Sequence, residues 1–432
     1  MNLRILKNKN FALLMLGKGV SMVGSNMQQF TLSLYVLAET GSATIFASMM
    51  AISILPRLVL SPVAGVFGDW FDRKKSIVTL DLFNGILIGG FAILYSVNGG
   101  LSLASIYVLV ILLEITEIFF GAAMSAVIPS IVDEEQLFEA NSVKSVILSG
   151  ANMLSPLIAA TLYAFAGLLV IFIINSISFI LSALSELLIE IPCTNKKPDK
   201  INLGAFKTDL LQGVNLIKKH KIIMNIIGLG MILNFCFAPL FSVVLLFVIR
   251  ETLVGSEIQY GFFAASVSFS MLLSPMLLGG IAKKIKVGKL LVYVFSIVAV
   301  FILLLSFATS KSFIGLYETN NVPILVVTLL TFTMAMIVSL ANIGLGTLFD
   351  TVVPRQFMGR VGTTMNLGLT IAMPLGQMLF GIALDLFPAS YVIAFASGII
   401  LLAVLYYQKP LLKADQSPIK VEDTELNESF AT

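Results

Sequence analysis

Two glutamates, Glu114 and Glu117, stand in a run of otherwise apolar residues. A charge at the centre of a membrane helix costs roughly 2.5–3.5 kcal/mol on insertion scales, so each one needs a partner or a task. Three residues apart, the two share one helix face. Carboxylates that close in a low dielectric cannot both ionise cheaply, and one is expected to hold a proton, as a proton-coupling group or a binder of cations requires. The alternative is a structural pair, hydrogen-bonded across helices or to Lys18 or Arg57. Lys18 lies about two turns into the first apolar run, where it can snorkel to the surface, pair with an acid or meet a substrate. Arg57 is deeper in its run, Asp81 starts the next, and Arg57 paired with Asp81 or with a glutamate is the plain structural reading. The later runs carry no ionisable residue at mid-depth. They offer Phe235, Phe237, Phe241, Met334, Met336 and Met365 beside Asn234, Asn342, Asn366 and Gln377, which suits either a hydrophobic ligand or lipid. One histidine, His220, and two cysteines, Cys193 and Cys236, leave no set for catalysis or metal binding, and no disulfide is implied.

The elements that position these groups follow from composition. The chain is 58% hydrophobic and 12% charged over 432 residues, whereas soluble domains carry about a quarter charged residues. Apolar runs of about 20 residues, long enough to span a bilayer as helices, recur from end to end. The expectation is an all-α polytopic membrane protein with twelve spans. The first six are 11–38, 43–68, 76–97, 101–128, 138–165 and 168–189. The last six are 222–249, 259–281, 288–309, 323–349, 359–384 and 389–407. The divisions are an N-terminal six-helix bundle (1–190), a cytoplasmic linker (191–221), a C-terminal six-helix bundle (222–408) and a disordered cytoplasmic tail (409–432). No cleavable leader is expected, because the first run is too long for one. With both termini inside, all but four of the 27 Lys and Arg fall in or beside cytoplasmic segments; Arg250 and Lys311 fall outside, and Lys18 and Arg57 lie within spans. That asymmetry orients the chain. Within the linker, Leu203, Phe206, Leu210, Val214 and Ile217 follow helical spacing between lysines, which fits either a helix on an anionic lipid surface or a flexible tether. Ser61-Pro62 is echoed by Ser274-Pro275, a faint internal repeat of the kind transporters show.

Between the second and third spans the chain reads GVFGDWFDRKK from Gly65 to Lys75. Small residues let backbones approach, and Arg73, Lys74 and Lys75 hold the turn on the cytoplasmic side. The pattern G-x-x-x-D-x-x-x-R-K, met by Gly65, Asp69, Arg73 and Lys74, resembles the signature loop of the major facilitator superfamily. Ser21, Gly24, Leu55-Pro56, Ile128-Pro129-Ser130, Ala140-Asn141-Ser142, Val353-Pro354, Gly359-Arg360-Val361, Pro374-Leu375-Gly376, Gly381 and Asp385 together resemble its drug, macrolide and siderophore exporters. The resemblance implies two pseudo-symmetric bundles around a central cavity, and a latch in which Asp69 faces the start of the eleventh span near Gly359 to Thr363. Two features depart from it. The fourth span lacks the arginine that takes part in proton coupling in many relatives. The antiporter motif of the fifth span keeps its proline but has Ala151, Ser155, Pro156, Ala159 and Ala160 where relatives have glycines.

The expected function is secondary export of a hydrophobic or amphipathic small molecule by alternating access, coupled to protons. The latch residues would be Gly65, Asp69, Arg73 and Lys74, and the coupling candidates Glu114, Glu117, Lys18 and Arg57. No cofactor beyond an ion gradient, no nucleic acid and no enzymatic role is expected, and the protein is expected as a monomer among cell-membrane lipids. A lipid or lysolipid flippase of the same fold and a non-transporting membrane sensor are the alternatives.

Overall fold

The computed structural model describes residues 3–191, 217–218, 221–282, 284–353 and 358–414. Among these the chain is helical almost throughout. The first helices are α1 (Lys9–Thr40), α2 (Ala43–Ile52), α3 (Leu55–Trp70), α4 (Arg73–Asn98), α5 (Leu103–Ile131) and α6 (Leu137–Leu187). They are followed by α7 (Lys221–Pro239), α8 (Glu257–Ala282), α9 (Val287–Ala308), α10 (Asn321–Val352), α11 (Met358–Leu386) and α12 (Ala389–Ala414). Beyond Pro239 the chain continues through the π-turns Leu240–Val244 and Val248–Thr252.

Ten helices among the described residues are long and apolar enough to cross a membrane. The longest, α6, breaks at Gly167, whose φ of 73° and ψ of −178° no helix contains. Its two halves are the fifth and sixth spans. The remaining span is α1, whose 32 residues exceed the length needed. It is less apolar because Ser21, Gln28, Thr31 and Ser33 turn into the protein and are buried there. Gly41 closes α1 in the left-handed conformation at φ 60°, its N–H donating to the Leu37 carbonyl at 2.8 Å. Large apolar side chains such as Val59, Ile86, Ile93, Leu402 and Tyr406 stand on the outside, where hydrocarbon and not water is the fitting solvent.

The chain forms two compact units. The first holds Met1–Gly41, Ile52–Ile201 and Ser256–Ser268; the second holds Ser42–Ala51, Asn202–Gly255 and Phe269–Thr432. Helix α2 therefore belongs to the second unit, and the first turns of α8 belong to the first. Close helix approach explains both placements. At Gly261 of α8 an added Cβ would lie 2.3 Å from the Ala160 Cβ and 2.9 Å from the Pro156 carbonyl of α6. At Gly381 of α11 it would lie 2.5 Å from the Ala47 Cβ and 2.9 Å from the Ala43 carbonyl of α2. Small residues permit this contact, and dispersion across it stabilises each crossing.

In the first unit, α6 packs on α1 and α4, and α5 packs on α3 and α4. Phe11, Leu14, Ile77, Phe120, Val127 and Ile189 fill the interior. Hydrogen bonds tie the helices at depth: Thr116 donates to the Asn84 Oδ1 at 2.7 Å, Asn175 to the Gln28 Oε1 at 2.7 Å, and Ser176 to the Gly85 carbonyl at 2.7 Å. In the second unit, α9 packs on α10 and α12, and α7 on α11 and α12.

Candidate functional site

The charged groups of the first unit's spans come together where α1, α3, α4, α5 and α6 meet. The Arg57 Nε and Nη2 donate to the same oxygen, Glu114 Oε1, at 2.9 and 2.6 Å. Lys18 Nζ donates to Glu117 Oε1 at 3.1 Å and Oε2 at 3.4 Å, and lies 4.3 Å above the centre of the Phe120 ring. The exposures are unequal within each pair: Arg57 is 56% exposed against 18% for Glu114, and Glu117 46% against 19% for Lys18. Each pair thus has one sheltered member that depends on an accessible one. The two glutamates do not bond to each other; they reach in different directions, to α3 and to α1. Lys18 is held in place rather than snorkelling.

Asp81 is not the partner of Arg57. It lies on α4, 2% exposed, beside Ser182 of α6 and within electrostatic reach of Lys18 and Glu117. Next to it is a residue that sequence reasoning passed over. Glu186 of α6 is 0% exposed and interacts electrostatically with Asp81 and Lys18. Its position one residue before the end of α6 reads, in sequence, as a charge leaving the membrane. The signal available was a polar stripe, Asn175, Ser178, Ser182 and Glu186, at helical spacing on an apolar helix. Gly17 brings α1 against that stripe, since an added Cβ would lie 2.3 Å from Ser185 Oγ and 3.1 Å from Ser182 Oγ.

Of the loop motif, Gly65 and Asp69 fall within the backbone of α3, but the surroundings of both lie outside what the structure describes, as do those of Gly359, Arg360 and Thr363. Asp72 caps α4 by accepting from the Lys75 N–H at 3.0 Å. Lys74 Nζ donates to the Leu187 carbonyl at 2.8 Å, which places a cation at a helix C-terminus. Arg73 starts α4 and is half-buried. In the antiporter-like segment, Ala151, Ser155 and Ala159 are buried, and Ser155 Oγ donates to the Ala151 carbonyl at 2.6 Å. Ala159 packs on Met27 and Ile171. With Pro156 and Ala160 against Gly261, this segment is a surface of close helix packing.

In the second unit, Phe237 stacks on Phe295 with centroids 6.4 Å apart, Met334 is fully buried, and Gln377 donates to Ser242 Oγ at 3.2 Å. These three residues build the interior of the unit and are not an open apolar lining. Asp385 does something the sequence did not announce: its Oδ1 accepts from the Ala43 N–H at 2.7 Å, and its Oδ2 from the Thr44 N–H at 3.0 Å and from Ser42 Oγ at 2.8 Å. A carboxylate more than 340 residues away in sequence thus caps α2, where helix dipole and free N–H groups favour it. Asp385→Asn turns an N–H₂ toward donors and removes a charge from the helix start; because the carboxylate is exposed, a loss of about 0.5–1 kcal/mol is expected, read as a lower melting temperature of purified protein in detergent.

Comparison with known proteins agrees with this architecture. Residues 14–361 match the model of the Major Facilitator Superfamily, and the chain belongs to that family. Macrolide efflux protein A of Streptococcus pyogenes is 24% identical over 371 residues, which cover 85% of this chain and 88% of the relative. A transporter of the same superfamily from Bacillus subtilis (strain 168), YvqJ, is 26% identical over 439 residues, covering 95% of each. Among solved structures, the nucleoside transporter NupG gives a TM-score of 0.71 at 10% identity, covering 93% of this chain and 99% of that one. A bacterial homologue of the iron transporter ferroportin, in an inward-facing state, gives 0.68 at 17% identity, covering 95% and 99%. At these identities the structures show the fold. The chain is a polytopic membrane protein of a transporter family.

Proposed function

We propose that this protein is a secondary active exporter of a hydrophobic or amphipathic small molecule of the macrolide type, coupled to protons and placed in the cell membrane with both termini in the cytoplasm. The observation that carries the reading is the similarity to macrolide efflux protein A along 85% of the chain. The acids and bases gathered inside the first unit support coupling, because intramembrane ionisable groups are the usual means of moving protons. The test is uptake into proteoliposomes under an imposed pH gradient, across macrolides, lipophilic cations, siderophores and lysolipids. Accumulation of a macrolide that an uncoupler abolishes is expected. Movement of lysolipid alone would replace the reading with a lipid flippase, and no movement of any compound, with no thermal stabilisation by any of them, would overturn transport.

Topology has a separate check. Cys236 is fully buried and unpaired, so an impermeant thiol reagent reports on Cys193, which lies outside the described residues. Cys193 should resist labelling in intact cells and react in inverted vesicles.

A further inference from the structure

We propose that Asp81 and Glu186 together form a proton-binding site buried between α4 and the second half of α6, distinct from the ion-paired glutamates Glu114 and Glu117. The inference deepens the exporter reading and rests on it for the direction in which the proton moves.

Three observations converge. Among the described residues the two carboxyls are the most deeply buried acids of the first unit's spans. Among the described residues Asp81 Oδ2 and both carboxylate oxygens of Glu186 have no hydrogen-bond partner, and the polar side chain that approaches Asp81 is the Ser182 hydroxyl. A buried acid left so bare is far cheaper as a neutral group than as an ion. The third is charge balance. Among the described residues the charged groups that act on the pair are Lys18 from α1 and Glu117 from α5; Lys74 of α4 meets the helix end one residue beyond Glu186. Lys74 is engaged by the Leu187 carbonyl, and Lys18 is bonded to Glu117. Three carboxyls therefore surround one ammonium that is already matched. With all three ionised the interior would carry an uncompensated double negative charge, which a membrane interior does not tolerate. Protons on Asp81 and Glu186 supply the balance.

The pair is built to release as well as to hold. Lys18 interacts with both acids and with Glu117, so any motion of α1 that parts Lys18 from Glu117 frees an ammonium for the deprotonated pair. Gly17, adjacent to Lys18, lets α1 ride closely on Ser182 and Ser185 of α6. Under the proposed topology Glu186 lies at the cytoplasmic end of its span, the side on which an exporter discharges its proton. Lys18 is thus shared between an exposed acid and a buried pair, which is the arrangement needed for proton binding to alter the Lys18–Glu117 bond.

The test needs no substrate. Infrared difference spectra of the purified protein, taken across pH steps, should contain a protonated-carboxyl stretch that appears and disappears with pH. Asp81→Asn and Glu186→Gln should each remove or displace it, whereas Glu114→Gln should leave it. A wild-type spectrum without a titrating band, or a band untouched by both substitutions, would overturn the site. If either amide variant fails to fold, Asp81→Glu and Glu186→Asp should shift the band's midpoint, and an unmoved midpoint counts equally against the site. A parallel flux measurement separates this idea from the exporter reading. Loss of pH-driven accumulation with downhill equilibration retained supports the pair as the coupling site. Full pH-driven accumulation in both amide variants would remove it from coupling while leaving export intact.

Discussion

Gly261→Leu is expected to abolish recovery of folded protein, the largest loss foreseen for any single change in the first unit. The glycine faces α6 where an added Cβ would already stand 2.3 Å from the Ala160 Cβ, 2.9 Å from the Pro156 carbonyl and 3.5 Å from the Leu157 Cα. Two of those three atoms are backbone and cannot swing aside as a side chain can. Packed interiors resist even one extra methyl, and overpacking costs about 1–3 kcal/mol. Gly261→Ala should therefore lower the melting temperature clearly, and leucine, which adds three more carbons, should push α8 off α6 altogether. The neighbouring Tyr260, fully buried with its ring 4.8 Å from that of Phe30, would be dragged with it. Ala160→Gly removes the nearest methyl, so the double variant Gly261→Ala with Ala160→Gly should regain much of the loss. Size-exclusion recovery and thermal denaturation in detergent measure both. A Gly261→Leu protein as stable as wild type would mean that α8 and α6 do not touch there.

The spans were legible in the sequence because lipid demands long apolar runs and nothing else meets that demand. The break between the fifth and sixth spans was legible because Gly167 lies between two such runs. The charged residues Lys18, Arg57, Glu114 and Glu117 stood out for the same reason, since each is costly where it sits. Their partners could not be read. Which base meets which acid depends on how α1, α3 and α5 are rotated about their axes, and a sequence window on one helix carries no information about the azimuth of another. Glu186 escaped for a different reason: a carboxyl at a span's end is normally solvated, and only the packing of α1 and α4 over α6 buries it. Gly381 and Asp385 were noticed only as parts of a family resemblance. Their physical work, admitting α2 to the side of α11 and capping its first turn, comes from a contact between residues some 340 positions apart.

Glu117→Gln is expected to destabilise the protein while Lys18→Met with Glu117→Gln restores it. Breaking a fully buried ion pair from one side costs about 3–5 kcal/mol, because the remaining charge is stranded. Here Glu117 is 46% exposed, so screening reduces the expected loss to about 1–2 kcal/mol. The loss falls on Lys18, which is sheltered and would keep the face of the Phe120 ring and its longer-range attraction to Asp81 and Glu186, but no hydrogen-bonded counter-ion. Lys18→Met alone leaves an accessible carboxylate that can find other partners, and its cost should be the smaller of the two. In the double variant no charge is stranded, and Met fills the space the lysine stem occupied. A thermodynamic cycle on the four proteins isolates the pair's coupling, and the same cycle for Arg57 and Glu114 should strand Glu114, the sheltered member there. Flux measured on the same proteins separates pairing from proton exchange. If Glu117 itself exchanged the proton for substrate, its glutamine variant would keep its melting temperature and lose only the pH-driven component, and the Lys18→Met change would rescue nothing.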